Sequence, residues 1–161
     1  MLLDWLTALQ QVPFVAALRF SRWTYASVNA THIVGIALLF GAIVPLDLRL
    51  MGCWRSIPIQ ALARILVPVA AGGLMLAIAA GLLLFATRAT EYAVLPLLWL
   101  KLTLIACGIA NALLLRVAAR WETSQAAVDA TPPLRLRAAG ALSIGLWLSV
   151  IVCGRMLAFV D

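Results

Sequence analysis

Three side chains that could carry chemistry stand inside otherwise apolar runs of this sequence: His32, Lys101 and Arg155. Each ionisable group near the middle of a bilayer costs roughly 2.5–3.5 kcal/mol or more, so such residues are functional candidates by default. Imidazole is a common ligand of metals and haem iron. Ammonium and guanidinium groups bind carboxylates and phosphates through charge-assisted hydrogen bonds. The three residue types therefore point to a redox cofactor or an anionic ligand.

Their spacing places these residues at one depth. His32 lies about seven residues into the first predicted span, Lys101 about six residues into the third, and Arg155 about five residues before the end of the fourth. The first and third spans run the same way and the fourth runs opposite, so all three side chains are expected in the outer leaflet. No Asp or Glu falls at that depth. The cluster therefore favours an anion: a porphyrin propionate, another carboxylate, or a quinone that gains charge on reduction.

Each of these residues also has a purely structural interpretation. His32 could form a hydrogen bond across helices or to Asn29 one turn away. Lys101 and Arg155 could extend towards the outer headgroups, as long basic side chains do near span ends. A second polar layer is expected at the opposite side, where Asp47 and Arg116 end their spans, and locking of helix ends is its simplest role. Arg49 is expected close by, with Asn111 deeper.

The elements that must position these side chains are membrane-spanning helices. The chain has 161 residues, 65% of them hydrophobic and 11% charged, with a mean hydropathy of +1.09. A water-soluble domain of this length could not bury so much apolar surface, whereas lipid can surround it. The net charge of +6 does not indicate nucleic-acid binding, because the basic residues are scattered between apolar runs.

The fold predicted is an all-α membrane protein, a four-transmembrane-helix bundle with a short N-terminal interfacial helix over Leu2 to Leu18. A span needs about 20 apolar residues, and open strands are not tolerated in lipid. Small residues at helical spacing, Ala141 with Gly145 and Ser149, and Ala37 with Gly41, are predicted to pack against neighbouring helices. We predict one domain over residues 1–161, with spans at Tyr25 to Leu46, Ala61 to Phe85, Leu95 to Ala118 and Ala138 to Val160.

The basic residues near the span ends predict the orientation. Cytoplasmic loops carry the excess of Lys and Arg. The first and third loops with their flanks hold seven arginines and the opposite side holds four, so both termini are expected outside the cytoplasm. The seven are Arg49, Arg55, Arg64, Arg116, Arg120, Arg135 and Arg137, and the four are Arg19, Arg22, Arg88 and Arg155.

Two stretches of the chain resemble a known family. HIVGIALLFGAIVPL, from His32 to Leu46, is similar to the first conserved span of the copper-resistance D (CopD-like) four-helix membrane domains, with Gly41 and Pro45 at matching positions. LLWLKLTLIACGIANALLLR resembles the Lys-containing helix of that family, through Lys101 and Asn111. DLRLMG, which begins at Asp47, looks more like an uncharacterised bacterial branch. The resemblance implies a multi-pass protein of the bacterial inner membrane.

A related group, the four-helix protoporphyrinogen oxidases, also has a His in an early span and a Lys in a later one. That resemblance implies b-type haem, with His32 as axial ligand and Lys101 as a substrate or propionate partner or a second ligand. Because the chain has a single His, the sixth ligand would be Lys101, Met156 or a partner chain, unless the iron is five-coordinate. Arg155, Met156 and Asn29 complete the predicted cofactor-binding set.

The expected function is therefore haem binding in the outer leaflet with a redox or electron-transfer role, as a haem-dependent oxidoreductase or an electron-transfer subunit. Copper transport is one alternative, although only His32, Met156 and Cys153 could offer ligands to the ion. An accessory subunit of a larger membrane complex is another. The partners expected are the lipid bilayer, a quinone or porphyrin, and a second copy or a larger assembly. Protease and phosphate-loop motifs are absent from the sequence.

Overall fold

The computed structural model describes residues 2–122, 132–157 and 159, and every element in these ranges is a helix. The all-α prediction is confirmed for this part of the chain, which contains no strand. The helices are α1 Leu2–Gln11, α2 Pro13–Phe20, α3 Arg22–Met51, α4 Ile59–Thr87, α5 Ala89–Tyr92, α6 Pro96–Glu122 and α7 Leu134–Leu157.

Within the described residues, four helices are long and apolar enough to cross a membrane: α3, α4, α6 and α7. The chain is therefore a multi-pass membrane protein, as its composition predicts. The four helices match the four predicted spans, with ends that differ by a few residues. α3 has 30 residues, which at 1.5 Å per residue is about 45 Å and exceeds the roughly 30 Å of a hydrocarbon core.

The C-terminal end of α3 differs from the sequence prediction. The first loop was expected to begin at Asp47, just after Pro45, but the helix continues to Met51. A proline inside a helix removes only one hydrogen bond, and later residues can stay helical. Gly52 follows the last helical residue, Met51, and its φ of 107° lies in the left-handed region. The Gly52 amide donates a hydrogen bond to the Arg49 carbonyl at 3.1 Å, and the Cys53 amide donates one to the Leu48 carbonyl at 3.0 Å. This pair of hydrogen bonds is a Schellman cap.

The N-terminal segment forms two helices instead of the single one predicted over Leu2 to Leu18. Val12 separates α1 from α2, and Pro13 begins α2 because its fixed φ suits a first helical position. Val15 and Leu18 of α2 are buried. The Gln10 side-chain amide contacts the Thr90 hydroxyl at 3.1 Å, which ties α1 to α5. The loop predicted from Ala86 to Val94 thus contains the short helix α5.

The chain divides into two compact units. Unit 1 consists of Met1–Leu39 and Ala70–Pro96, and unit 2 of Phe40–Val69 and Leu97–Asp161, within the described residues. α3 and α4 each contribute one part to each unit. Unit 1 contains the contact between α3 and α4, whereas unit 2 contains the contacts of α7 with α3 and with α6. The single-domain prediction over residues 1–161 stays a prediction.

The predicted packing stripes of small residues are wrong. All five residues of these stripes are exposed: Ala37, Gly41, Ala141, Gly145 and Ser149. A Cβ built on Gly41 or Gly145 would have no described atom within 4 Å apart from those of its own stretch of helix. Neighbouring positions pack instead: Gly35, Leu39 and Ala42 on α3, and Gly140, Ser143, Trp147 and Val150 on α7. About half of the connection between the third and fourth predicted spans, and the end of the fourth span at Val160, lie outside the described residues.

Candidate functional site

His32 is held against α4 by a hydrogen bond within unit 1. Its Nδ1 lies 2.8 Å from the carbonyl oxygen of Ala77. A carbonyl can only accept, so Nδ1 carries the hydrogen and the neutral ring has its lone pair on Nε2. A Cβ built on Gly81 would lie 2.9 Å from Cε1 of His32. The imidazole therefore has a fixed tautomer and is seated directly on a glycine.

The seat for the imidazole follows from close approach of α3 and α4. A Cβ on Gly35 would lie 2.6 Å from the amide nitrogen of Ala77, and one on Gly73 would lie 2.5 Å from that of Leu39. Glycine is needed at both positions because the opposing atoms are backbone. Gly73, Ala77 and Gly81 follow at intervals of four along α4 and so share one face with the His32 contact. The predicted cross-helix hydrogen bond of His32 is thus present, with a backbone partner.

Lys101 lies in unit 2, half-buried against α7. A Cβ built on Gly154 would be 3.2 Å from Nζ of Lys101 and 3.4 Å from its Cε. Glycine at this position lets the long side chain pass close to the α7 backbone. Cys153, the residue before Gly154, is buried. α6 over its described side chains and α7 contain no Asp or Glu, so both helices offer the ammonium no acidic side chain of their own.

The other residues of the predicted cofactor set are exposed. The guanidinium of Arg155 stacks on the Phe159 ring, with Cζ of Arg155 4.5 Å from the ring centre. Met156 is 51% exposed, and Asn29 is exposed near the start of α3. Asn29 belongs to unit 1 with His32, whereas Arg155 and Met156 belong to unit 2 with Lys101. A common depth for His32, Lys101 and Arg155 stays a prediction.

The second polar layer forms with a partner that the sequence analysis missed. Asp47 is 3% exposed and forms a side-chain hydrogen bond with Ser143 of α7. Its second oxygen, Oδ2, is buried with no hydrogen-bond partner among the described residues. Arg116, which was expected in the same layer, is exposed, whereas Asp47 is buried. Gly140 permits the approach, since a Cβ there would lie 2.9 Å from the Asp47 carbonyl oxygen.

Arg49 and Asn111 of this layer bond to backbone carbonyls. Nε of Arg49 donates to Ile57 at 2.7 Å and its Nη2 donates to Arg55 at 3.1 Å, so this buried arginine holds the loop after α3. Asn111 donates to the Ala139 carbonyl at 3.1 Å and joins α6 to α7. These contacts fit the predicted role in locking helix ends.

A basic depression of about 470 Å³ opens at one end of unit 1. It is lined by Arg19 of α2, Tyr25 of α3, Thr87 at the end of α4, Arg88 between α4 and α5, and Glu91 of α5. We call it the Arg19–Arg88 pocket. Arg88 donates to Glu91 at 2.5 Å and lies 5.7 Å from the centre of the Tyr92 ring. Arg19 and Arg88 were both expected on the same side of the membrane, but no pattern in the sequence indicates that they line one pocket.

The described residues include no group of three or more His, Cys, Asp or Glu side chains that could hold a metal ion. A bare copper ion needs several soft ligands that converge on it. Of the ligands considered for copper, His32 belongs to unit 1, whereas Cys153 and Met156 belong to unit 2. Haem differs in this respect, because its porphyrin supplies four nitrogens and the protein needs to add only one or two axial ligands.

Comparison with known proteins gives no assignment. No family model matches this chain, and no curated protein and no solved structure matches it.

Proposed function

We propose that this protein binds b-type haem through His32 and serves a redox or electron-transfer role in the bacterial inner membrane, with both termini on the periplasmic side. The observation that carries the proposal is the hydrogen bond from Nδ1 of His32 to the Ala77 carbonyl at 2.8 Å. Metal-ligating histidines almost always donate their second ring N–H to a carbonyl, a carboxylate or water. The bond fixes the tautomer whose Nε2 lone pair can coordinate iron.

The ring is also fixed in position by packing. Gly81 lies against its Cε1 side, and Gly35 and Gly73 set the spacing of the helices that carry His32 and Ala77. Ligands on packed helices hold a cofactor in a better-defined orientation than ligands on loops do. These contacts support His32 as the axial ligand in the proposal.

Haem suits these residues better than copper does. One imidazole is enough for a five-coordinate haem iron, whereas a bare copper ion would require a ligand cluster of the kind that the described residues lack. When bound, haem would supply one-electron chemistry. The protein would hold the iron through His32 and exclude water with the apolar side chains around it. Lys101 or Met156 as sixth ligand, and a quinone as redox partner, belong to the same proposal.

A second ground for the proposal is the likeness to the four-helix protoporphyrinogen oxidases, which also have a His in an early span and a Lys in a later one. The segments around His32 and Lys101 also contain the contacts described above, with His32 bonded to α4 and Lys101 packed on α7. Arg155 and Asn29 enter the proposal as further residues near the cofactor.

The absorption spectrum of the purified protein, with iron analysis, tests the proposal. We expect a Soret band that the His32→Ala variant lacks. A preparation that is colourless, and that takes up no added haem, would contradict the proposal.

A pair of glycine variants separates ligation from general damage to α4. In Gly81→Ala the new methyl group would lie 2.9 Å from Cε1 of His32, so the ring must move and haem affinity should fall. Gly72→Ala is the matched control on the same helix, because no described atom lies within 4 Å of its Cβ position. Equal haem affinity in the two variants would show that the His32 ring does not ligate the iron.

A further inference from the structure

The geometry points to the Arg19–Arg88 pocket as the site that binds the carboxylates of the porphyrin, an inference that rests on the proposed function. From the sequence, this role was expected of Lys101 and Arg155. The pocket contains a different pair of cations, Arg19 and Arg88. Both belong to unit 1, the unit that contains His32.

The pocket lies about two helical turns from the imidazole along α3, and it includes the residue just beyond the end of α4. Tyr25, which lines the pocket, precedes His32 by seven residues on α3, and seven residues place two side chains on one face about 10 Å apart along the axis. Gly81, which packs against the His32 ring, is six residues before Thr87, the last residue of α4, and Arg88 follows Thr87 directly. If His32 held the iron of a b-type haem, Arg19 and Arg88 would be the cations of the same unit that could bind its carboxylates.

The side chains of the pocket suit a carboxylate. Arg19 and Arg88 contribute two positive charges against the single negative charge of Glu91, so the pocket is net basic. A guanidinium has five N–H donors in a planar fork that matches a carboxylate. Arg88 gives its Nε–H to Glu91 and stacks near Tyr92, contacts that hold its guanidinium in one orientation. Tyr25 adds a phenol that can donate a further hydrogen bond.

Thr87 contributes shape to the pocket and no donor. It is 2% exposed, and its hydroxyl already donates to the Leu84 carbonyl at 2.7 Å. Glu91 carries a negative charge and would by itself repel an anion. Because it accepts a hydrogen bond from Arg88, its role in the pocket is to position that arginine. Charge recognition in the pocket therefore depends on Arg19 and Arg88.

Comparison of haem with its dimethyl ester tests this inference, because the ester lacks both negative charges and keeps the iron. Haem or the ester is added to haem-free protein, and the dissociation constant is measured. We expect the wild type to bind haem more tightly than the ester by roughly tenfold or more, the scale of one hydrogen bond to a charged group. Arg19→Gln and Arg88→Gln should weaken the binding of haem and leave that of the ester unchanged. Arg19→Lys, which keeps the charge, should retain much of the preference.

Arg22→Gln is the matched control, since Arg22 is an exposed arginine at the start of α3 that does not line the pocket. Lys101→Met tests the competing pair. The inference is overturned if Lys101→Met abolishes the preference for haem and Arg19→Gln preserves it. It also fails if the wild type binds haem and ester equally, although haem binding itself would then stand. If the wild type binds neither compound, the proposed function fails and this inference fails with it.

Discussion

The α3–α4 contact of unit 1 and the α6–α7 contact of unit 2 both depend on glycine, but the glycines face different atoms. Gly35 and Gly73 lie against the backbone of the opposing helix. A Cβ built on Gly35 would be 2.6 Å from the Ala77 amide nitrogen, and one built on Gly73 would be 2.5 Å from the Leu39 amide nitrogen. Gly108 lies against the Trp147 ring at 3.1 Å, and Gly154 lies against the Lys101 side chain at 3.2 Å.

This difference decides how far each contact can adjust. A backbone atom in a helix cannot move without displacing its neighbours, whereas a ring can shift slightly and a lysine chain can rotate away. Unit 1 therefore offers a rigid seat for His32, as an axial ligand needs. The α6–α7 contact is more adaptable, and Lys101 has room to change its position.

The largest effect is expected from Gly73→Ala, which tests the rigid contact. Its methyl group would lie 2.5 Å from the Leu39 amide nitrogen and 2.8 Å from the Gly35 carbonyl oxygen. We expect the free energy of unfolding to fall by about 3 kcal/mol or more, at the top of the range for overpacking. Thermal unfolding in detergent, followed by circular dichroism, measures it.

The adjacent residue provides the control for Gly73. Gly72→Ala meets no described atom within 4 Å and should be neutral or stabilising by up to about 1 kcal/mol, because alanine favours the helix. Equal melting temperatures for the two variants would contradict the backbone contact.

Gly108→Ala is expected to have an intermediate effect. Its methyl group would lie 3.1 Å from Cε2 and Cζ2 of the buried Trp147, so the ring must shift by a few tenths of an ångström. We expect a loss of about 1–2 kcal/mol. The loss should disappear in a Trp147→Leu background, where the ring is gone. Gly145→Ala, at an open position of α7, should leave stability unchanged; an equal loss there would argue against the ring contact.

A double-mutant cycle on Asp47 and Ser143 tests the α3–α7 contact of unit 2. Because the two side chains share a buried hydrogen bond, Asp47→Asn and Ser143→Ala should be non-additive, with a coupling energy of about 1 kcal/mol. The same unfolding measurement gives all four corners of the cycle. A coupling energy of zero would mean that Asp47 does not depend on Ser143.

The smallest effect is expected from Gly154→Ala. The new methyl group would meet only the flexible end of Lys101, which can rotate aside, so the stability change should stay below about 0.5 kcal/mol. Thermal unfolding in the wild-type and Lys101→Met backgrounds checks this. A loss as large as that of Gly73→Ala would end the distinction between the two kinds of contact.

The sequence by itself determined the fold class and the number of spans. Long apolar runs in lipid must satisfy their backbone hydrogen bonds internally, and a helix does so within one segment. Composition therefore predicted α3, α4, α6 and α7 to within a few residues at most ends. It also singled out His32 and Lys101, because an ionisable side chain in an apolar run is conspicuous whatever the packing.

Only the tertiary structure decided which face of each helix meets a neighbour. A spanning helix is apolar all round, so its sequence lacks the polar face that marks the outside of a soluble helix. For that reason the sequence could not separate Gly73, which touches the α3 backbone, from Gly72 beside it, which touches no described residue. The tertiary structure likewise gave His32 its bond to Ala77 and brought Arg19 to the same pocket as Arg88, because these pairs are far apart in the chain.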